Sequence, residues 1–102
     1  MERIKIEGAI RTLGLFATKK GYWPLIDLVE QMLNGKPYNA DLLRATAELH
    51  GTKPSALHNN FYSLLHSVKQ NVPDLYGELF GTQPVSTARF ANTVAEYVAN
   101  HI

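Results

Sequence analysis

The spacing of apolar and turn residues between positions 39 and 69 constrains the fold more than any other feature of the chain. Residues 39–50 have the pattern of a short capped helix that ends at Gly51, and Thr52-Lys53-Pro54-Ser55 then opens a second helix. One face of this second helix is apolar and contains Leu57, Phe61, Leu64, Leu65 and Val68. The opposite face is polar and contains Ser55, Asn59, Tyr62, Ser63 and His66. Two helices joined by a tight turn that contains glycine have the outline of a helix-turn-helix, which we predict over residues 39–69.

Four further helices are predicted in the rest of the chain, and no segment has the pattern of a strand. They are expected over Glu2–Leu15, from Tyr22-Trp23-Pro24 to the stop at Asn34-Gly35-Lys36-Pro37, over Asp74–Phe80, and from a cap at Ser86 or Thr87 onward. Ile6, Ile10, Leu13 and Ala17 are expected to form the apolar stripe of the first helix. Six helices in 102 residues predict an all-α fold, with residues 1–102 forming a single domain.

The core of the motif is predicted from its apolar positions. These are Leu42, Leu43, Leu49, Leu57, Phe61, Leu64 and Val68. Phe16, Tyr22 and Trp23 are interpreted as core residues around the first turn, and not as a surface on which bases stack. Asn60 lies beside the apolar stripe, where a hydrogen-bonded group at the edge of the core is expected.

The charge distribution is uneven, although ten Lys and Arg residues against nine Asp and Glu residues give a net charge of only +1. Residues 1–20 hold five basic and two acidic residues, and residues 51–73 hold Lys53 and Lys69 with no carboxylate. A surface that meets phosphates needs this absence, because each acid would repel the DNA backbone. A window of this length also lacks acids by chance, so both interpretations stay open.

Several functional classes lack support in this sequence. Cysteine is absent, no run of about 18 apolar residues predicts a membrane span, and the charged start has no signal-peptide pattern, so a cytoplasmic protein without a membrane partner is expected. No nucleophile elbow, phosphate loop or pair of catalytic carboxylates occurs, which argues against an enzyme. His50, His58, His66 and His101 lack the spacing of metal ligands, and no cofactor is predicted.

The chain resembles the C-terminal DNA-binding domain of stage 0 sporulation protein A, the response regulator of sporulation. Leu13-Gly14-Leu15 and Lys20-Gly21-Tyr22 are similar to that family's Ile-Gly-Val and Lys-Gly-Tyr segments. Leu79-Phe80-Gly81 reproduces its Leu-Phe-Gly, and Pro84 with the helix around Phe90 resembles its closing helix. The resemblance covers about residues 10–100 and implies transcription regulation through a recognition helix at residues 54–69. The family's receiver domain has no counterpart in these 102 residues.

The departures from this family fall on its recognition helix, which begins roughly Ser-Arg-Val-Glu-Arg-Ala-Ile-Arg and uses its arginines on guanines and phosphates. Ala56, Asn59 and Tyr62 stand at the arginine positions, and His58 replaces the glutamate. Arginine pairs with guanine, whereas asparagine pairs preferentially with adenine. If the chain binds DNA as the resemblance implies, these departures imply a DNA site different from that of the family.

Two hypotheses follow for the function. The first is a DNA-binding regulator or accessory factor that contacts double-stranded DNA through Lys53, Ser55, Ala56, His58, Asn59, Tyr62, Ser63, His66 and Lys69. The second is a degenerate helix-turn-helix that binds a protein, either a second copy of the chain or a regulator. Asn59 and Tyr62 fit base contact and a solvated helix surface equally well. The absent arginines favour the second hypothesis, and the absence of carboxylates on the outer face favours the first.

Overall fold

The computed structural model describes residues 3–102 and contains six α-helices in this range. They are α1 (Arg3–Arg11), α2 (Tyr22–Leu33), α3 (Ala40–Leu49), α4 (Pro54–Asn71), α5 (Pro73–Phe80) and α6 (Thr87–Asn100). Residues 3–102 contain no strand, so the predicted all-α class is confirmed. Glu2, where the first helix was predicted to begin, lies outside the described residues. None of the described helices is long and apolar enough to cross a membrane.

The helix α2 lies at the centre of the fold and packs against α1, α3, α4 and α6. Its residues Leu25, Ile26 and Val29 are completely buried, because an apolar stripe this wide must be covered by several neighbours. A second part of the core contains three aromatic rings from α4, α5 and α6. Phe90 lies between the other two, with ring centroids 6.3 Å from Phe61 and 6.1 Å from Phe80. These packed elements hold α4 in place.

The pair formed by α3 and α4 is joined by a turn of four residues, 50–53. The Asn39 side chain accepts a hydrogen bond of 2.8 Å from the Leu42 backbone N–H, which confirms the predicted cap. At the end of α3, Thr52 N–H donates to the Ala47 carbonyl at 2.9 Å, a bond that requires left-handed backbone at Gly51, where φ is +64°. Pro54 occupies the first turn of α4, where its missing N–H costs nothing. Local capping therefore explains why two helices and one short turn occur here.

The first helix is shorter than predicted. It ends at Arg11 instead of Leu15, because the N–H groups of residues 12–14 donate to carbonyl oxygens three residues back and tighten the last turn. Leu13 and Leu15 are nevertheless buried after the helix has ended. The prediction that Ala17 continues the apolar stripe is wrong, since this residue is exposed in the loop.

The prediction that Leu49 belongs to the core is also wrong, because 72% of this residue is exposed. The face that α3 buries contains Leu42, Thr46 and Ala47, and Leu43 is only partly buried. Thr46 can be buried because its hydroxyl donates to the Leu42 carbonyl at 2.8 Å. The buried face is therefore turned away from Leu49, toward a threonine that hydrophobicity alone does not select.

The aromatic residues near the first turn divide between core and surface. Tyr22 is 2% exposed and belongs to the core as predicted, but Phe16 and Trp23 are 49% and 43% exposed. Trp23 lies on the side of α2 opposite Leu25 and Val29, so the geometry of the helix directs it outward. The interpretation of Phe16 and Trp23 as core residues is therefore wrong.

The last two helices agree with the prediction. α5 ends at Phe80 with Gly81 as its C-cap residue, and the Ser86 side chain accepts a hydrogen bond of 3.1 Å from Arg89 N–H at the start of α6. The guanidinium of Arg89 donates to the Phe80 carbonyl at 2.8 Å, which links the end of α5 to α6. The chain between these helices is thereby held beside α4.

Candidate nucleic-acid interface

The residues predicted to contact DNA lie on or next to α4, and eight of the nine are exposed. The exposed residues are Lys53, Ser55, His58, Asn59, Tyr62, Ser63, His66 and Lys69, whereas Ala56 is partly buried. We call the stripe formed by Ser55, Asn59, Tyr62 and His66 the outer face of α4. Its members recur every three or four residues and therefore share one side of the helix. The structure brings the predicted residues together on one continuous surface.

The two ends of this surface are basic. Lys53 is the N-cap residue of α4, and Lys69 lies in its last turn with its Nζ 5.8 Å from the centroid of the Tyr76 ring. No acidic residue occurs in residues 51–73, so α4 presents no carboxylate of its own to an anionic partner. The lysines lie about 24 Å apart along the helix, since each residue adds ~1.5 Å.

His58 has a different environment from the rest of the predicted site. Its ring hydrogen-bonds with the Thr87 hydroxyl at 2.9 Å and packs edge-on against Tyr62 at 5.4 Å between ring centroids. The bond to Thr87 joins the first turns of α4 to the start of α6. His58 therefore orients Tyr62, whose exposed fraction is 42%, in addition to lying on the surface.

A groove of about 440 Å³ borders the outer face on the side of α5. Tyr62, His66 and Lys69 form one wall, and Tyr76 with residues 81–85 forms the other. The groove makes this flank of α4 concave, so a partner that follows the outer face would also meet the segment before α6.

The opposite flank of α4 is covered by the loop between α1 and α2. Gly14 and Gly21 approach α4 at Asn71 and Asn60, respectively. Asn60 therefore lies at the edge of the core as predicted, but within the described residues its side chain packs without a hydrogen bond. The sequence-based site omitted this loop, and the excess of basic residues in residues 1–20 was the signal that pointed to it.

One cluster of charged side chains joins α1 and α2 to the end of α3. Asp27 on α2 accepts from the Arg3 guanidinium at 2.6 Å and also pairs with the His50 ring at the end of α3. In residues 3–102 no group of three or more His, Cys, Asp or Glu side chains could hold a metal ion. Burial raises the pKa of both Tyr22 and Tyr38, and Glu7 adds to the effect on the pKa of Tyr22.

Comparisons with other proteins provide no relative. No family model matches the chain, and no curated protein or solved structure matches it. The resemblance to the sporulation regulator therefore rests on the residues of this chain.

Proposed function

We propose that this chain is a DNA-binding helix-turn-helix protein that acts as a transcription regulator or accessory factor, with α4 as its recognition helix. The observation that carries the proposal is the outer face of α4, which is exposed, free of carboxylates and bounded by Lys53 and Lys69. The resemblance to the C-terminal domain of stage 0 sporulation protein A supports the same function.

The arrangement of α3 and α4 supports major-groove binding. A helix of ten residues, a turn of four and a helix of 18 have the proportions of a motif whose second helix enters the groove. The major groove is about 12 Å wide and admits one α-helix. In this motif the first turns of the second helix contact base edges, which assigns Ser55, Ala56 and Asn59 to the bases.

The start of α4 is suited to a phosphate. α3 and α6 have side-chain caps, but the first turn of α4 contains neither a side-chain cap nor an acid. Lys53 adds a positive charge at the end of the helix where the macrodipole is already positive. A phosphate beside Lys53 would compensate both charges and accept hydrogen bonds from free backbone N–H groups.

Specificity is assigned to Asn59, with Tyr62 as its neighbour. An asparagine on this face can form two hydrogen bonds with adenine, through N6 and N7. Tyr62 is held by His58 and offers a hydroxyl and a ring edge next to Asn59. We therefore expect a preferred site that contains adenine where the resembling family has guanine.

The second candidate function is a protein-interaction module without DNA binding. One observation favours it: Leu49 is 72% exposed at the end of α3, close to the turn that leads into α4. A single exposed leucine is common on protein surfaces, so Leu49 carries less weight than the whole outer face of α4.

The experiment that separates the two functions is a selection from random duplexes, followed by titration of the selected duplex at several salt concentrations. DNA binding predicts an enriched sequence that contains adenine and an affinity that falls as salt rises. The matched control is a variant with both flanking charges removed, Lys53→Gln with Lys69→Gln. The proposal is wrong if no sequence is enriched and the dissociation constant at physiological salt is ~0.1 mM or larger, which is the weak end of the range for non-specific DNA binding.

A further inference from the structure

We propose that the loop between α1 and α2 is a second phosphate-binding element, in which Lys19 and Lys20 hold the DNA backbone beside α4. The inference rests on the proposed DNA-binding function and extends it to a surface outside the helix-turn-helix. Its ligand is the phosphodiester backbone, which is recognised by charge and not by base sequence.

Gly21 lies directly against α4. A Cβ atom built on Gly21 would lie 2.9 Å from the Asn60 Cβ, which is too close for an unstrained side chain, and would touch a Leu64 methyl carbon at 3.4 Å. The backbone at Gly21 is also left-handed, with φ at +88°. Glycine alone satisfies both conditions without strain, so the loop is held directly against α4 at this position.

The other end of the loop also contacts α4. The Asn71 side-chain amide donates to the Gly14 carbonyl at 2.7 Å. Asn60 and Asn71 are eleven residues apart on α4, a distance of about 16 Å along the helix axis. The loop is therefore attached to α4 at two points and runs along more than half of the helix.

The two segments that meet at these contacts both carry a net positive charge. Residues 8–26 contain Arg11, Lys19 and Lys20 and no acid, and residues 51–73 contain Lys53 and Lys69 and no acid. The fold thus joins two segments that carry five positive charges without one carboxylate. Such a combined surface extends the electrostatic footprint that a duplex requires.

The two lysines of the loop are accessible to a ligand. Lys19 and Lys20 are both exposed, and neither forms an ion pair with any residue in the described part of the chain. Lys20 directly precedes Gly21, so its Cα lies ~3.8 Å from the residue that touches α4. Two adjacent cations repel each other, and a phosphate between them would relieve that repulsion.

The test is the salt dependence of duplex binding, measured by fluorescence anisotropy on a labelled duplex of random sequence. The variant combines Lys19→Gln with Lys20→Gln, and the matched control combines Lys5→Gln with Lys36→Gln, which are exposed lysines outside the loop and α4. Each lost phosphate contact lowers the slope of log affinity against log salt by about 0.9. We expect the loop variant to lose about 1.8 units of slope, so that its affinity falls ~12-fold less than that of the wild type between ~50 and ~200 mM salt. The control should keep the wild-type slope.

The outcomes distinguish this inference from the proposed function. If the loop variant keeps the wild-type slope, or if the control loses as much slope, the loop does not bind phosphate and the inference is wrong. The proposed function then stands as long as the wild type binds and the Lys53→Gln and Lys69→Gln changes flatten the slope. If the wild type shows no salt-dependent binding, both proposals are wrong. Circular dichroism melts verify that the variants are folded, and the single Lys19→Gln and Lys20→Gln variants replace the double variant if it melts early.

Discussion

The inner and outer sides of α4 differ in almost every physical property, although they alternate along the same 18 residues. Leu57, Phe61 and Leu64 are completely buried on the inner side, where they contact other helices of the fold. Ser55, Asn59 and His66 on the outer side are exposed. The inner side therefore contributes to the free energy of folding, whereas the residues of the outer side are available for recognition. Stability and binding should be separable by substitution within this one helix.

The margins of α4 form a third class of position between these two sides. His58 hydrogen-bonds with Thr87 on one margin, and Asn71 donates to the loop at Gly14 on the other. Residues at the margins orient the outer face without belonging to the core. A substitution there should affect binding and stability together, so the sharpest tests use residues at the centre of each side.

The largest expected effect is on the inner side. Phe61→Ala removes a ring that is completely buried and should lower the free energy of unfolding by about 3 to 5 kcal/mol. Tyr62→Ala is the matched control, because it removes an adjacent ring that is 42% exposed. Denaturant melts of both variants measure the difference. A loss below about 1 kcal/mol for Phe61→Ala, or equal losses for the two variants, would contradict the assignment of the inner side.

The next effect is on the outer side and concerns binding alone. Asn59→Ala should weaken binding to the selected duplex by about 1 to 3 kcal/mol, because a base-specific pair of hydrogen bonds is lost. Binding to random DNA should change little, and the melting temperature should stay at the wild-type value. Asn92→Ala, which alters an exposed asparagine on α6, serves as the control. Equal weakening on selected and random duplexes would remove Asn59 from base recognition.

A smaller effect is expected at the two ends of the outer face. Lys53→Gln and Lys69→Gln should each reduce the slope of log affinity against log salt by about 0.9, because each removes one phosphate contact. All duplexes should be affected alike, since phosphates carry no sequence information. Anisotropy titrations at several salt concentrations measure the slope, with Lys36→Gln as the control. An unchanged slope for either variant would place that lysine outside the interface.

The smallest effect concerns the stability of the protein at high pH and depends on the buried Tyr22 of α2. Burial and the nearby Glu7 hold the pKa of Tyr22 above its ordinary value of 10.0 in the folded protein. The unfolded chain therefore releases this proton first, and stability that is fully present below pH 10 should fall as the pH rises through the folded pKa. Tyr22→Phe should make this fall shallower in denaturant melts between about pH 9 and 11. A pH profile identical to that of the wild type would show that Tyr22 ionises equally easily in both states.

The sequence predicts those parts of the fold that depend on local pattern. The inner stripe of α4, the Asn39 cap and the Ser86 cap each follow from residues within a few positions of one another, and all three are confirmed. Leu49 and Trp23 were assigned wrongly, because their exposure depends on which face of α3 or α2 meets the rest of the molecule. Packing between distant segments decides which face of a helix is buried, and the hydropathy pattern within one helix does not contain this information.

The candidate site divides in the same way. Helical periodicity was enough to predict that Asn59 and Tyr62 share an exposed side. The bond between His58 and Thr87 and the contact between Gly21 and Asn60 join residues 29 and 39 positions apart, and no local signal specifies either. The charge excess in residues 1–20 is visible in the sequence, but its position beside α4 requires the fold.

The pairing of the first and last helices has a consequence for how the chain reaches this structure. Thr12 and Tyr97 join their hydroxyl groups across 85 positions, and α6 packs on both α1 and α2. Ribosomes add ~5–20 residues per second, so about 3 to 11 s separate the completion of α2 from the start of α6. Translation arrested before Thr87 should give a nascent chain that contains α1 and α2 but lacks α6. We expect this nascent chain to be cleaved by protease faster than the full chain. During those seconds the apolar faces of α1 and α2 that α6 covers in the folded protein stay uncovered, and chaperone capture or aggregation competes with folding.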